Sequence, residues 1–165
     1  MKAVDHSEAV SKFIVSARAY CAIVEQAAGV APHLLAEEFA IALADLYSHA
    51  LRLPELAPCE ESTLIERGEV PPAVQQALAR LGFSSSENTA EDEYLNSLSL
   101  TDDLADIYGE LKGALDFYES SDSCVQANAV WEIKFGFEVH WREHLVHALY
   151  VLDRVLRENT LPEEL

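Results

Sequence analysis

The chain has 165 residues, 50% hydrophobic and 24% charged, so it can bury a sizeable core and is not intrinsically disordered. Its 29 acidic residues against 11 lysines and arginines give a formal net charge of −18, which repels phosphate backbones and anionic lipid headgroups. We therefore expect no nucleic-acid partner and no membrane docking. No stretch approaches the length of a membrane span, and we expect no signal peptide.

The three cysteines, Cys21, Cys59 and Cys124, are odd in number, far apart and outside any CxxC pattern. This usage is typical of a reducing compartment without a disulfide framework. The sequence therefore predicts a cytoplasmic protein.

The first half of the chain predicts two long helices. Apolar residues recur at spacings of three and four from about Ser7 to Ala28, where Gly29 supplies a stop. Pro32 suits the first turn of a second helix, which runs to about Leu53. A loop follows at residues 54–68.

A short helix is predicted over residues 71–82, and the polar, acidic stretch at residues 83–97 is predicted to be a surface excursion. The next long helix runs from about Asp102 to Glu119. Thr101 is expected to be its N-cap, with Asp102 and Asp103 at the positive end of the helix dipole.

The last segment, residues 126–159, is predicted to be helical almost without interruption, with Gly136 marking a bend or a close approach of another backbone. Its apolar residues fall into two sets. The main set is Ile133, Phe137, Trp141, Ala148, Val151 and Val155, widened by Leu145, Leu149, Leu152 and Leu156; the second set is Phe135, Val139, Val146 and Tyr150. A helix that is apolar on two sides is usually sandwiched, so we expect it to be the central element. The whole pattern predicts one all-α domain, residues 1–165, built as a bundle of four long helices and one short helix.

His140, His144 and His147 lie within an arc of about 60° on this last helix. Imidazoles at these spacings can bind one metal ion or exchange protons. They can equally be core histidines whose nitrogens are paired with a carboxylate or a carbonyl. Trp141 lies among them and is a candidate ligand-binding residue.

A row of acids, Asp102, Asp103, Asp106 and Glu110, follows one side of the 102–119 helix. Such a row could bind magnesium. Because the row is centred far from the apolar stripe, a solvated face is the simpler interpretation. Asp103 and Asp106 are the two members that we select as candidate ligand-binding residues.

Glu38, Asp45 and His49 share one side of the second helix within about 40°. Bundle-core metal sites combine carboxylates and histidines from facing helices. If the second helix packs beside the last one, this trio could join the three histidines of the last helix in a metal site.

No glycine-rich phosphate loop, GxSxG elbow or catalytic cysteine pattern is present. The leading hypothesis is therefore a non-enzymatic domain that binds a protein partner or a small ligand. The alternative is a metal-dependent or acid-base enzyme that uses the histidines and carboxylates. The catalytic residues, cofactor and oligomeric state are left open, although the second apolar set leaves room for self-association.

Four runs of the sequence resemble a known family. TDDLADIYGELKGALDFYE and AVWEIKFGFEVHWREHLVHAL are the most specific, and FIVSARAYCAIVE and LADLYSHALRLP are similar to the family's opening helices. The chain is thereby identified as a member of a bacterial family known as domain of unknown function 5063. The resemblance implies an all-helical protein and carries over no catalytic residue.

Overall fold

The structure, a computed structural model, describes residues 6–59, 65–81 and 100–158. Within these ranges the regular elements are helices only, which confirms the all-α prediction. In chain order they are α1 (His6–Gln26), a short 3-10 turn (Ala27–Gly29), α2 (Pro32–Ala50), α3 (Pro72–Ala79), α4 (Leu100–Tyr118), α5 (Ser123–Gly136), a π-helical turn (Phe137–Trp141) and α6 (Arg142–Glu158). None of the described helices is both long and apolar enough to cross a membrane.

Most predicted helix ends agree with the structure to within about three residues. Pro32 occupies the first turn of α2 as predicted. Thr101 lies inside α4 rather than capping it, because the helix already begins at Leu100. The last segment begins earlier than predicted, since the Asp122 carboxylate accepts hydrogen bonds from the backbone N–H groups of Cys124 and Val125 and caps α5. The predicted excursion at residues 83–97 lies outside the described residues.

The helices α5 and α6 and the π turn between them form one continuous element, the C-terminal rod (Ser123–Glu158). It packs against α4 along both α5 and α6, and against α2 through α6. Helix α4 also contacts α1 and α3, so it shares the centre of the fold with the rod. The second and last long helices therefore do pack together.

One apolar set of the C-terminal rod is buried and the other is not. Phe137, Trp141, Leu145, Ala148 and Leu152 are almost fully buried in the core. The second set, by contrast, is exposed, and its members are Phe135, Val139, Val146 and Tyr150. The expectation that the rod is sandwiched on both sides is therefore wrong: α2 and α4 cover its main stripe, and nothing in the described ranges covers the other.

The segment around residues 65–68 lies directly on the surface of α4. Gly68 N–H donates to the carbonyl of Gly109 at 2.8 Å. A Cβ on Gly113 would lie 2.0 Å from the carbonyl oxygen of Glu66, and a Cβ on Gly109 would lie 2.9 Å from that of Gly68. Only glycine permits so close an approach of two backbones. Arg67 is thereby held against the next turn of α4.

Candidate metal centre

The packing of α4 against the C-terminal rod brings acids and histidines together. We call this group the histidine–carboxylate cluster. Its members are Asp103, Asp106 and Glu110 of α4 and His140, His144 and His147 of the rod. Five of the six candidate ligand-binding residues predicted from the sequence belong to this cluster, and the exception is Trp141. Glu110 is the additional member.

Asp103 is the buried anchor of the cluster. Its side chain is 0% exposed, and its two oxygens accept hydrogen bonds from Nδ1 of His144, at 2.8 Å, and from Nδ1 of His147. The expected solvated face is therefore wrong for Asp103, because α6 covers this flank of α4. Asp102, one residue earlier, is exposed as expected.

His140 repeats this arrangement with a second carboxylate. Its Nδ1 lies 3.0 Å from Oε1 of Glu110. An ionised carboxylate only accepts hydrogen bonds, so Nδ1 carries the proton in both His140 and His144. In the neutral form of each ring, Nε2 is then an unprotonated lone-pair atom.

The two Nε2 atoms point at each other. Nε2 of His140 lies 3.3 Å from Nε2 of His144, and Oδ2 of Asp106 lies 3.7 Å from the latter. One ligand atom from each of these three residues lies within 4.8 Å of the other two. Two nitrogens bound at about 2.0–2.1 Å to a tetrahedral metal ion lie about 3.3–3.4 Å apart. The two imidazoles therefore already have the separation that a shared metal ion requires.

Arg67 closes the acidic side of the cluster. Its Nη2 donates to Oδ1 of Asp106 at 2.8 Å and to the Asp106 carbonyl at 3.3 Å, and its Nε lies 3.6 Å from Oε1 of Glu110. The guanidinium thus holds one oxygen of Asp106 and leaves the other on the side of His144. The position of Arg67 is fixed because the backbone of residues 66–68 packs directly against Gly109 and Gly113.

The charges of the cluster do not balance when the imidazoles are neutral. Ionised Asp103, Asp106 and Glu110 face one guanidinium, that of Arg67, which leaves two negative charges. Glu132 on α5 adds a further carboxyl group, and its pKa is raised by burial and by the negative charge of Glu110. A divalent cation at the Nε2 atoms would neutralise the remainder.

The π turn shapes the rod at this point. Such turns insert one residue into an α-helix and often occur at functional sites. Here the wider turn brings the indole of Trp141 over Gly136, whose added Cβ would lie 3.2 Å from Nε1 of Trp141 and 3.4 Å from Oε2 of Glu110. The prediction that another backbone approaches Gly136 is therefore wrong, because the nearest atoms belong to the side chains of Trp141 and Glu110.

Trp141 itself lies in the core. Its ring packs against Phe137 and Phe13, with centroid distances of 4.8 Å and 6.4 Å. The indole is 0% exposed, and Nε1 has no hydrogen-bond partner within residues 6–59, 65–81 and 100–158. Trp141 thus supports the π turn from behind rather than facing solvent.

The trio on α2 is not brought to the imidazoles, although α2 and α6 are in contact. Glu38 and Asp45 are exposed, and Nδ1 of His49 lies 2.6 Å from Oγ of Ser16 on α1. Among the described residues, the group with metal-ligand geometry contains Asp106, His140 and His144 and none of this trio.

Sequence reasoning did not select Arg67, Glu110 or Glu132 as site residues. Glu110 was recognised only as part of the acidic row. The spacing of Gly109 and Gly113, four residues apart on an otherwise regular helix, was the available indication that a second backbone lies on α4. Nothing in the local pattern of Glu132 indicates its proximity to Glu110.

Fold and site together define an all-α bundle with a histidine–carboxylate cluster between two of its helices. The comparison with protein families is specific: the family described as Domain of unknown function (DUF5063) matches residues 4–158, and the chain belongs to it. A search of the curated proteins found no match. Among solved structures, protein BF1032 from Bacteroides fragilis has a TM-score of 0.73 at 22% identity, over 89% of this chain and 91% of that one. This likeness concerns the fold.

Proposed function

We propose that this protein binds a divalent transition-metal ion through Asp106, His140 and His144. The observation that carries the proposal is the 3.3 Å separation of the two Nε2 atoms, with each Nδ1 on a carboxylate. A carboxylate behind a ligating imidazole fixes its tautomer and raises its basicity, which is how proteins prepare histidines for a metal. Two imidazoles and one carboxylate suit zinc or ferrous iron better than magnesium or calcium.

Electrostatics support the same proposal. Two neutral Nε2 lone pairs at this distance repel each other unless a proton or a metal ion lies between them. A divalent cation removes this repulsion and also offsets the two excess negative charges of the cluster. The surrounding net charge of −18 favours cation entry at long range.

A non-enzymatic ligand-binding protein and a metal-dependent enzyme could both use this site. In the first the metal ion would only bind a ligand, and in the second it would also activate a substrate. Three protein ligands leave at least one coordination position open, as in catalytic zinc sites. An open depression of about 660 Å³ lies beside the cluster on the surface of the rod, and it is lined by His140 and His147 and also by Val146 and Tyr150. A metal-dependent enzyme that binds its substrate in this depression is the second candidate.

The test is metal binding to untagged protein stripped with a chelator. We expect close to one equivalent of zinc by elemental analysis after soaking and dialysis, and saturable binding by calorimetry. His140→Gln, at a partly exposed ligand, should weaken binding at least tenfold. His49→Gln is the matched control, because it removes an imidazole that is bonded to Ser16 instead. Less than a tenth of an equivalent, or equal effects of the two variants, contradicts the proposal.

We further propose that residues 1–165 act as one domain in a bacterial cytoplasm without a nucleic-acid partner. The odd cysteine count supports a reducing compartment, and the acidic surface opposes binding to phosphate backbones. The likeness to a Bacteroides fragilis protein supports a bacterial source.

A further inference from the structure

One face of the C-terminal rod is apolar, and none of the described residues covers it. We call it the apolar stripe: Phe135, Val139, Val146 and Tyr150, which are 48%, 62%, 49% and 45% exposed. Phe135 is already ordered by stacking on Trp131, with ring centroids 5.2 Å apart. At about 1.5 Å per residue the stripe extends for about 22 Å.

The stripe differs from the other exposed apolar residues of the described ranges. Val15, Leu34, Ile41, Leu51 and Leu56 are spread over α1, α2 and the loop that follows, and Leu156, which is 38% exposed, lies near the end of α6. Single exposed apolar residues need no explanation, whereas a contiguous apolar face rimmed by polar residues is typical of an interaction site.

The charge of the rod indicates which partner fits. Helix α6 is neutral, since its three basic residues balance its three acidic ones: Arg142, Arg154 and Arg157 against Glu143, Asp153 and Glu158. The chain as a whole carries −18. A basic partner would be drawn to the acidic remainder of the surface, whereas a second acidic chain meets little repulsion at this face, because the whole rod has five acidic residues against four lysines and arginines.

We propose that the apolar stripe is a self-association surface on which two copies of this chain pair through a two-fold axis. Antiparallel rods are favoured, because opposed helix dipoles attract and a parallel pairing would set Arg157 against its own copy. With the axis near Val146, Phe135 lies level with Arg157 of the second copy, a pair of an aromatic ring and an arginine, which attract each other.

The pairing is expected to be weak and to strengthen with salt. Four half-exposed side chains cover less than the roughly 800 Å² per partner of a standard stable interface. The net charges of the two chains still repel each other, and salt screens exposed charges beyond about 10 Å at 0.1 M. A dimer held by surface ion pairs would instead loosen with salt.

The experiment is sedimentation equilibrium of the full chain from about 10 μM to about 500 μM, a range that resolves micromolar dissociation constants. We expect a monomer–dimer equilibrium that tightens when the sodium chloride concentration is raised. Val146→Glu should weaken it at least tenfold. Val15→Glu is the matched control, because it replaces a valine that is 66% exposed on another helix with the same charge. Circular dichroism melts of both variants establish that they fold.

Four outcomes would overturn the inference. They are a wild-type monomer throughout the range, a Val146→Glu dimer as tight as wild type, an equal loss in Val15→Glu, and a dimer that loosens with salt. None of these depends on metal loading, so the metal proposal and this one fail separately.

Discussion

Asp103 and His144, 41 residues apart in sequence, are joined by a 2.8 Å hydrogen bond at the interface of α4 and α6. The same carboxylate also accepts Nδ1–H of His147, so a single fully buried group orients two imidazoles. Buried charges are tolerated only when they are paired in this way.

Asp103→Asn should therefore destabilise the protein by about 2–4 kcal/mol, because an amide accepts from one imidazole while its NH₂ group opposes the other. Urea unfolding monitored by circular dichroism measures the loss. Asp102→Asn is the control, since that carboxylate is exposed in the same helical turn. Equal midpoints for the two variants would show that Asp103 is not an anchor.

Glu110→Gln should weaken metal binding by about 10–100-fold, the usual effect of removing a carboxylate behind a ligating histidine. Calorimetric titration with zinc measures the change. Glu119→Gln serves as the control, because that side chain is exposed and pairs with Arg18 away from the cluster. Unchanged affinity in Glu110→Gln would show that the charge of Glu110 does not strengthen metal binding through His140.

Gly113→Ala should cost about 1–3 kcal/mol, because the added Cβ meets the Glu66 carbonyl oxygen and forces the two backbones apart. The displacement should also draw Arg67 from Asp106. Gly29→Ala provides the comparison, since an added Cβ there meets no atom of the described residues within 4 Å. Equal melting temperatures for the two variants would contradict the close contact between the Glu66 carbonyl and Gly113.

The raised pKa of Glu132 gives a pH dependence of known sign. A carboxyl group whose pKa is higher in the folded protein than in the unfolded chain binds its proton more tightly when folded, so it opposes folding as pH rises above its ordinary value of 4.5. Glu132→Gln should raise the melting temperature at pH 7. The gain should vanish below about pH 4.5, where the carboxyl group is protonated in both the folded and the unfolded chain.

Exposed Glu37 supplies the control for this prediction. Glu37→Gln should shift the melting temperature little at either pH. If Glu132→Gln raised the melting temperature equally at both pH values, the packing of the new side chain and not the loss of charge would be responsible.

Cys21 should be inert in the folded protein. Burial, followed by the negative charge of Glu25, raises the pKa of its thiol to about 12, and its side chain is almost fully covered. Iodoacetamide labelling at pH 8 with peptide mapping should modify Cys59, which is half-buried, well before Cys21. In urea the two should react alike. Labelling of Cys21 at the rate of Cys59 without urea would contradict this account.

Much of the fold could be predicted because its determinants are local. The apolar spacing of α1, α2 and α4, the proline at the start of α2 and the buried stripe that contains Trp141 follow from helical periodicity. The common orientation of His140, His144 and His147 follows from the same geometry. The periodicity could not reveal whether the second apolar set is covered, because that depends on how many helices surround the rod.

The partners of the histidines were not predictable in the same way. The α2 trio and the α4 acids are both carboxylate-bearing rows on helices that contact α6. Only α4 is rotated so that Asp103, Asp106 and Glu110 face the imidazoles, and its contact with the 66–68 backbone adds Arg67 from outside any helix.

The sequence by itself determined an acidic all-helical chain with one histidine-bearing helix face, since composition and periodicity act residue by residue along the chain. Only the tertiary structure decided which acids meet that face and that the described helices leave the second apolar set uncovered. The physical reason is that helix crossing and rotation arise from the packing of the whole core, to which distant residues contribute together.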